Sequence, residues 1–258
     1  MSTNSIPRVW GTSHDTEHRI GIATKDFYLG IFALGPKPTN FTSFDDPQPS
    51  YMWSLKNQSL IPSLSWGYTA GAPYQLKQVP GSLTLGGYDA SKFTANNMTF
   101  SFAADDSKPL TVGLQSIEAV NTFQGVVSLL PSGILSFIDS TVPEIWLPES
   151  ACEIFESAFG LQFDPNTERY LVNNSVHASL TTMDPVLTFI LGNTVNGGET
   201  IQISLPYKAF DLQADYPIYP NATNYFPLRR ATNESQYTLG RTFLQESYVY
   251  LHPFSSKV

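Results

Sequence analysis

Several things are scarce in this chain of 258 residues, and each scarcity excludes something. There is 1 cysteine, Cys152, so no disulfide can close within the chain. We read it as a buried, small apolar residue rather than a nucleophile. Charged residues make up 14%, against roughly a quarter in an average soluble domain, which does not suit a coiled coil or a helical bundle. Lys and Arg number 14 against 22 Asp and Glu, giving a net charge of −8. No basic cluster exceeds Arg229-Arg230, so a nucleic-acid partner is not expected. No apolar run approaches the roughly 20 residues needed to span a bilayer. The longest, residues 21–35, is interrupted by Lys25 and Asp26. Residues 1–10 lack the apolar centre of a signal peptide.

Familiar catalytic signatures are missing as well. There is no G-x-S-x-G nucleophile turn, no G-x-x-x-x-G-K-[ST] phosphate loop and no G-x-G-x-x-G dinucleotide turn. His14-Asp15-Thr16-Glu17-His18 does match the H-x-x-E-H spacing of an inverted zinc peptidase. Its flanks, Gly11-Thr12-Ser13 and Arg19-Ile20-Gly21-Ile22, read instead as a polar loop entering a strand. The other histidines, His177 and His252, supply no clear third ligand. We therefore expect a solvated loop here rather than a zinc site.

What the chain does have is 41% apolar residues, 13% aromatics, 19 prolines and 17 glycines. That is enough to build a core and to cut the chain into short segments. Apolar and polar residues alternate at Leu83-Thr84-Leu85, Met98–Phe102, Leu110–Leu114 and Ile201–Leu205, which predicts strands. Ile134–Ile138 and Val186–Leu191 lack clean alternation and read as strands buried on both faces. Gly86-Gly87 and Asn196-Gly197-Gly198 mark turns. Two helices are predicted. Residues 49–58 begin with Pro49 in the first turn and place Met52 and Leu55 on one side. Residues 148–159 begin with Pro148, carry Ala151, Phe155, Ala158 and Phe159 on one face, and stop at Gly160. The fold class is mostly β with a few short helices. The polar stretch 103–109 is the best boundary within it. Six Asn-x-Ser/Thr sequons occur, at Asn40, Asn57, Asn97, Asn173, Asn221 and Asn233. Chance would give about two among 14 asparagines. Excess sequons, low charge and acidity together look secretory, and the missing export signal suggests residues ahead of Met1.

One segment carries candidate chemistry. In residues 136–148, Asp139 closes an apolar strand and is followed by Ser140, Thr141, Val142, Pro143 and then Glu144-Ile145-Trp146-Leu147-Pro148. A carboxylate at a strand end is costly to bury unless it is hydrogen-bonded or shares a proton with another. Taken alone, such an Asp is an ordinary turn former.

The segment resembles the active-site loop of pepsin-like aspartic peptidases, in which two apolar residues and D-[TS]-G-[ST] precede a tail such as L-W-V-P. Asp139 stands at the catalytic aspartate, Ser140 at the following hydroxyl residue, and Ile145–Pro148 at the tail. Further landmarks follow in family order. Gly30–Gly35 resembles the D-G-I-L-G-L-G strand of the first lobe, and Ser50–Ile61 the helix after it. Gly81–Asp89 is close to G-x-L-x-L-G-G-x-D at the lobe junction. Leu110–Ala119 resembles the strand opening the second lobe, Tyr237–Leu244 the L-G-x-x-F-L motif, and Tyr248–Leu251 the strand beyond it. The resemblance covers most of residues 20–258. It implies a bilobal acid-protease fold made as one truncated domain. Residues 1–107 would hold the later half of the first lobe with the interlobe strands, and residues 108–258 a nearly complete second lobe.

It also implies a mechanism that needs no metal or organic cofactor: a water held between two aspartates that share one proton cleaves an extended peptide lying between the lobes. Asp139 would be one of the two, with Ser140, Thr141 and Gly240 supporting its loop. Gly240 corresponds to the glycine packed beneath that loop, and Ala33 replaces its first-lobe counterpart. The chain departs from the pattern in three ways. Thr141 stands where the family has Gly, Val142 where it has a hydroxyl, and no second D-[TS]-G occurs, since Asp89 and Asp184 lack the motif. Thr141 is expected to shift or strain the loop. A second carboxylate would have to come from a missing N-terminal segment or from Asp139 of a second copy in a homodimer. The alternatives are a non-catalytic pseudo-peptidase that binds peptides or partners, and an inactive truncated product.

Overall fold

A computed structural model describes residues 31–40, 45–75, 79–105 and 107–252, the side chains of residues 39 and 40 excepted. His14–His18, the strand expected to begin at Arg19–Ile22, Gly30 of the expected strand Gly30–Gly35 and the Asn40 side chain lie outside that description. The chain forms two units, one of residues 1–67, 83–89 and 250–258 and the other of residues 68–82 and 90–249.

In the first unit, β1 (Thr39–Asn40) pairs antiparallel with β2 (Pro47–Gln48). Helix α1 (Tyr51–Asn57) follows. The Ser50 hydroxyl accepts the Trp53 N–H at 3.1 Å and so caps the helix. Pro49 therefore lies ahead of the cap rather than in the first turn. Met52 is fully buried on the inner face and Leu55 is half-buried beside it. Described residues 31–36 form no strand, and the Phe32 ring instead rests edge-on against Tyr51 at 5.0 Å. The chain passes between the units within β3 (Trp66–Thr69) and β4 (Ser82–Leu85).

The second unit is built on a mostly antiparallel sheet. Its strands in chain order are β5 (Thr111–Thr122), β6 (Gly125–Ser128), β7 (Ile134–Ile138) and β8 (Ile145–Pro148). Helix α2 (Glu149–Phe159), β9 (Gln162–Asp164), β10 (Arg169–Leu171) and helix α3 (Asn174–Met183) come next. Then follow β11 (Val186–Gly192), β12 (Thr200–Pro206), β13 (Leu212–Ala214), β14 (Thr223–Phe226) and β15 (Leu228–Ala231). The unit ends with β16 (Thr238–Leu239), the single-turn helix α4 (Arg241–Leu244) and Val249, the first residue of β17 (Val249–Leu251). The large sheet runs β12-β11-β5-β7-β16-β8-β15, with β6 paired to β5, and a second sheet runs β13-β14-β10-β9.

Helix α2 packs on β8 and β15 because Ala151, Cys152, Phe155, Ala158 and Phe159 form one apolar stripe, all buried. It ends at Gly160, whose φ of 64° is the left-handed geometry that glycine adopts without strain. Phe155 and Phe159 meet Phe226 at 6.0 and 5.3 Å, and Phe226 stacks on Phe210 at 4.8 Å. This aromatic cluster fills the space between helix and sheets. Arg230 on β15 ties the layers together. It donates to Glu149 at 2.6 Å and Glu156 at 2.7 Å on α2, and to the Tyr170 hydroxyl on β10 at 2.8 Å. Cys152 is fully buried, with Sγ 3.5 Å from the Arg229 carbonyl oxygen, and burial pushes its thiol up to about 12.

Three readings of the sequence change. Met98–Phe102 is not a strand. Two of its backbone groups are taken up by the Asn193 amide, which accepts from Ser101 N–H at 2.9 Å and donates to the Thr99 carbonyl at 2.8 Å. Neither β7 nor β11 is buried on both faces. Leu135 is 56% exposed whereas Ser136 is wholly buried, and in β11 Leu187, Phe189 and Leu191 are buried while the residues between them are half-exposed. Helix α3 has no counterpart in the sequence reading. It is capped by Asn173, whose Oδ1 accepts the Val176 N–H at 2.9 Å.

Candidate active site

Strand β16 lies between β7 and β8, parallel to the first and antiparallel to the second, so Leu239 sits beside both Ile138 and Ile145. The residues that follow, Asp139 after β7 and Gly240 after β16, are thereby brought to one edge. The Asp139 N–H donates to the Leu239 carbonyl at 3.2 Å. Gly240 must be glycine for steric reasons. A Cβ there would lie 2.2 Å from the Glu144 carbonyl oxygen and 2.4 Å from that of Val142, distances no real Cβ reaches. The loop between β7 and β8 is thus seated directly on Gly240.

Asp139 is half-buried, and its carboxylate is oriented from within the loop. Oδ1 accepts the Thr141 N–H at 2.8 Å and the Thr141 hydroxyl at 2.7 Å. Hydrogen bonds to the charged form hold a carboxylate in one orientation more firmly than neutral contacts do. Among the described residues Oδ2 accepts no hydrogen bond. The Val142 N–H closes the turn onto the Asp139 carbonyl at 3.3 Å. Ser140 and Thr141 are exposed and Val142 is half-buried.

The strain expected at Thr141 is not found. Among the described residues the non-glycine positions with positive φ are Ser59, Asn121, Glu168 and Asp184. Thr141 keeps an ordinary backbone and turns its hydroxyl onto the carboxylate.

The residues after Gly240 complete the site and were not singled out from the sequence. The Arg241 N–H donates to the Val142 carbonyl at 2.8 Å, and its guanidinium Nη1 donates to the carbonyls of Ser140 at 2.9 Å and Thr141 at 3.2 Å. Thr242 donates twice to the Pro143 carbonyl, from N–H at 3.1 Å and from Oγ1 at 2.9 Å. Four consecutive loop carbonyls are held by two residues. The L-G-x-x-F-L pattern leaves these positions open, so only geometry reveals their role. Glu144 is 7% exposed. Burial raises the Tyr225 hydroxyl above its ordinary range, with Glu144 adding to the effect and Arg169 and Arg241 opposing it. Tyr68 is likewise raised by burial and lowered by Arg241.

Among the described residues no group of three or more His, Cys, Asp or Glu side chains could hold a metal ion. No described helix is long and apolar enough to cross a membrane. Of the sequons, Asn57, Asn97, Asn173, Asn221 and Asn233 are exposed.

A family model for the eukaryotic aspartyl proteases matches residues 15–258. Comparison with curated proteins gives no match. Among solved structures, the aspartic proteinase of Irpex lacteus superposes with a TM-score of 0.56 at 18% identity, over 81% of this chain and 59% of that one. This chain therefore spans a little over half the length of that neighbour, and at such identity the likeness speaks for the fold. The order of strands around Asp139, the glycine beneath its loop and the match over nearly the whole sequence lead to one statement: the chain belongs to the eukaryotic aspartyl protease family and has its mostly β, pepsin-like fold.

Proposed function

We propose that this chain carries one half of an aspartic peptidase site, with Asp139 as one of two carboxylates that hold the attacking water. The observation that carries the reading is the Asp139 carboxylate itself. Its Oδ1 is fixed by two donors from Thr141 while Oδ2 takes no partner among the described residues. A carboxylate used in this chemistry needs one oxygen anchored and one open to water and to a shared proton. The second carboxylate comes from sequence outside these residues or from a second copy of the chain, because no other D-[TS]-G is present. The lobe assignment that goes with this reading is 1–107 for the later part of the first lobe and 108–258 for the second. The substrate is an extended peptide, and exposed sequons support a secreted, cell-surface or vacuolar glycoprotein.

The test is incubation of the purified protein with an unfolded protein at acid pH, with products read by mass spectrometry across a dilution series of the chain. Internal cleavage at a rate per chain that falls on dilution supports a site shared between copies. Cleavage independent of dilution supports a carboxylate within one molecule. Peptide binding without cleavage supports the second reading, a pseudo-peptidase, which the D-S-T-V loop favours by lacking the family's glycine. Neither cleavage nor binding leaves the inactive product.

A further inference from the structure

We propose that the anchor of the active-site carboxylate has moved one residue along the loop in this protein, and that Arg241 is the residue that keeps the moved anchor in place. The inference rests on Asp139 being the working carboxylate and names what positions it.

One hydroxyl of the family's loop is missing here. The family pattern puts a Ser or Thr three residues after the aspartate, and here that residue is Val142. The residue one earlier, ordinarily glycine, is Thr141, and its hydroxyl lies 2.7 Å from Asp139 Oδ1. The Thr141 N–H reaches the same oxygen at 2.8 Å. A single residue therefore supplies both donors. Read from the sequence, Thr141 and Val142 are two defects, but in the structure the first makes good the second.

Arg241 enters through the peptide groups. In a trans peptide the C=O and N–H point in opposite directions. The peptide joining Ser140 to Thr141 donates its N–H to Asp139 Oδ1, and its carbonyl accepts from Arg241 Nη1 at 2.9 Å. The next peptide, from Thr141 to Val142, donates its N–H to the Asp139 carbonyl at 3.3 Å, and its carbonyl accepts from the same Nη1 at 3.2 Å. Both peptide units of the turn are thus held at one end by Asp139 and at the other by one guanidinium nitrogen. The Arg241 N–H fixes the third carbonyl, that of Val142. A cation behind a carbonyl polarises the peptide and strengthens the donation from its N–H, so the charge on Arg241 is felt at Oδ1 through the amide. Arg241 touches no reacting atom in this arrangement and is a positioning residue. Lysine would not replace it fully, because its ammonium rides on a flexible stem, whereas the planar guanidinium fixes the directions of the N–H bonds on Nη1.

The experiment is solution NMR of the full chain labelled with 15N and with 13C at the Asp carboxyl carbons, run beside the acid-pH cleavage assay. The variants are Thr141→Val, Thr141→Ser, the double change Thr141→Gly with Val142→Thr, Arg241→Lys and Arg241→Ala. Thr141→Val removes the hydroxyl at constant volume. It is expected to move the Asp139 carboxyl resonance and to lower kcat about tenfold, the worth of one hydrogen bond to a charged group, with KM little changed. Thr141→Ser and the double change return the resonance toward its original position, the latter by restoring the family's placement of the hydroxyl. Arg241→Ala moves the Thr141 amide proton upfield, and Arg241→Lys moves it part of the way. A thermal melt of each variant identifies any that has lost its fold, and the Ser and Lys variants, which change least, then carry the test. If the wild type does not cleave, the catalytic reading fails while the NMR arm still decides the anchor. If the wild type cleaves and Thr141→Val leaves both kcat and the Asp139 resonance unchanged, the anchor is refuted and the catalytic reading stands. An unmoved Thr141 amide in Arg241→Ala refutes the part assigned to Arg241.

Discussion

Gly240→Ala is the sharpest perturbation of the candidate site that does not touch a reacting group. The added methyl would sit 2.2 Å from the Glu144 carbonyl oxygen and 2.4 Å from that of Val142, both backbone atoms. To admit it, β16 or the loop between β7 and β8 must move by about 1 Å, since ordinary Cβ contacts begin near 3.4 Å. Overpacking of this kind costs about 1–3 kcal/mol. Displacing the loop also lengthens the 2.8 Å bond from the Arg241 N–H to the Val142 carbonyl, adding about 0.5–1.5 kcal/mol. The expected loss is therefore about 2–4 kcal/mol. Urea denaturation followed by tryptophan fluorescence and by circular dichroism should show a lower midpoint at an unchanged slope. Gly87→Ala is the control, because nothing lies within 4 Å of its Cβ position and its φ is not in the left-handed range. Removing that glycine should leave stability within about 0.5 kcal/mol or raise it slightly through the unfolded state. A Gly240→Ala protein that unfolds with the wild type would refute the claim that the loop is seated on this glycine.

Other expectations follow from the same structure. Cys152 should not react with an aromatic disulfide reagent at pH 8 in the native protein, since burial holds its thiol near 12, and should react at once in denaturant; rapid native labelling would contradict its placement. Arg230→Met should cost about 1–3 kcal/mol by thermal melt, because it leaves the Glu156 carboxylate without its cation and held only by the Tyr170 hydroxyl at 2.8 Å; the Arg230 side chain is 27% exposed, which keeps the estimate below that for a fully buried pair. Burial raises the Glu246 carboxyl above its ordinary value, although Tyr74 and Gln75 donate to it. A group with a raised folded-state pKa favours folding when protonated, so its penalty grows as pH rises through that pKa. Glu246→Gln should accordingly gain stability relative to wild type as pH increases from the carboxyl range to neutral, and a constant difference across pH would contradict this.

How much of this was legible in the sequence depends on what kind of interaction does the work. Helix α2 could be read because Ala151, Phe155, Ala158 and Phe159 repeat on one face and Gly160 ends it, and every one of those side chains is buried. Helix α3 was not read, although Val176, Leu180 and Met183 follow helical spacing. Only Leu180 is fully buried, and Thr181, Thr182 and Ser175 dilute the stripe with residues that favour caps and turns. Met98–Phe102 alternates as a strand should, but alternation says nothing about which backbone groups are already claimed by Asn193. At the site, Asp139 and Gly240 could be placed because the motifs that hold them are local and ordered along the chain. Arg241 could not, since it acts on carbonyls a hundred residues earlier and any residue satisfies the pattern there. The hydrogen bond made by Thr141 is not legible in the sequence either. The sequence shows a β-branched residue where glycine belongs, and only the geometry shows its hydroxyl on the carboxylate.

The most direct test of the account is the rate at which wild type and Asp139→Asn cleave an unfolded protein at acid pH. Asparagine keeps the volume and can still accept from Thr141, so the loop should hold its shape while the proton-sharing carboxylate is lost. The account predicts cleavage by the wild type and a fall of about a thousandfold or more in the variant, the scale of an essential acid–base group. Equal cleavage by the two proteins would contradict it and move the chemistry away from Asp139.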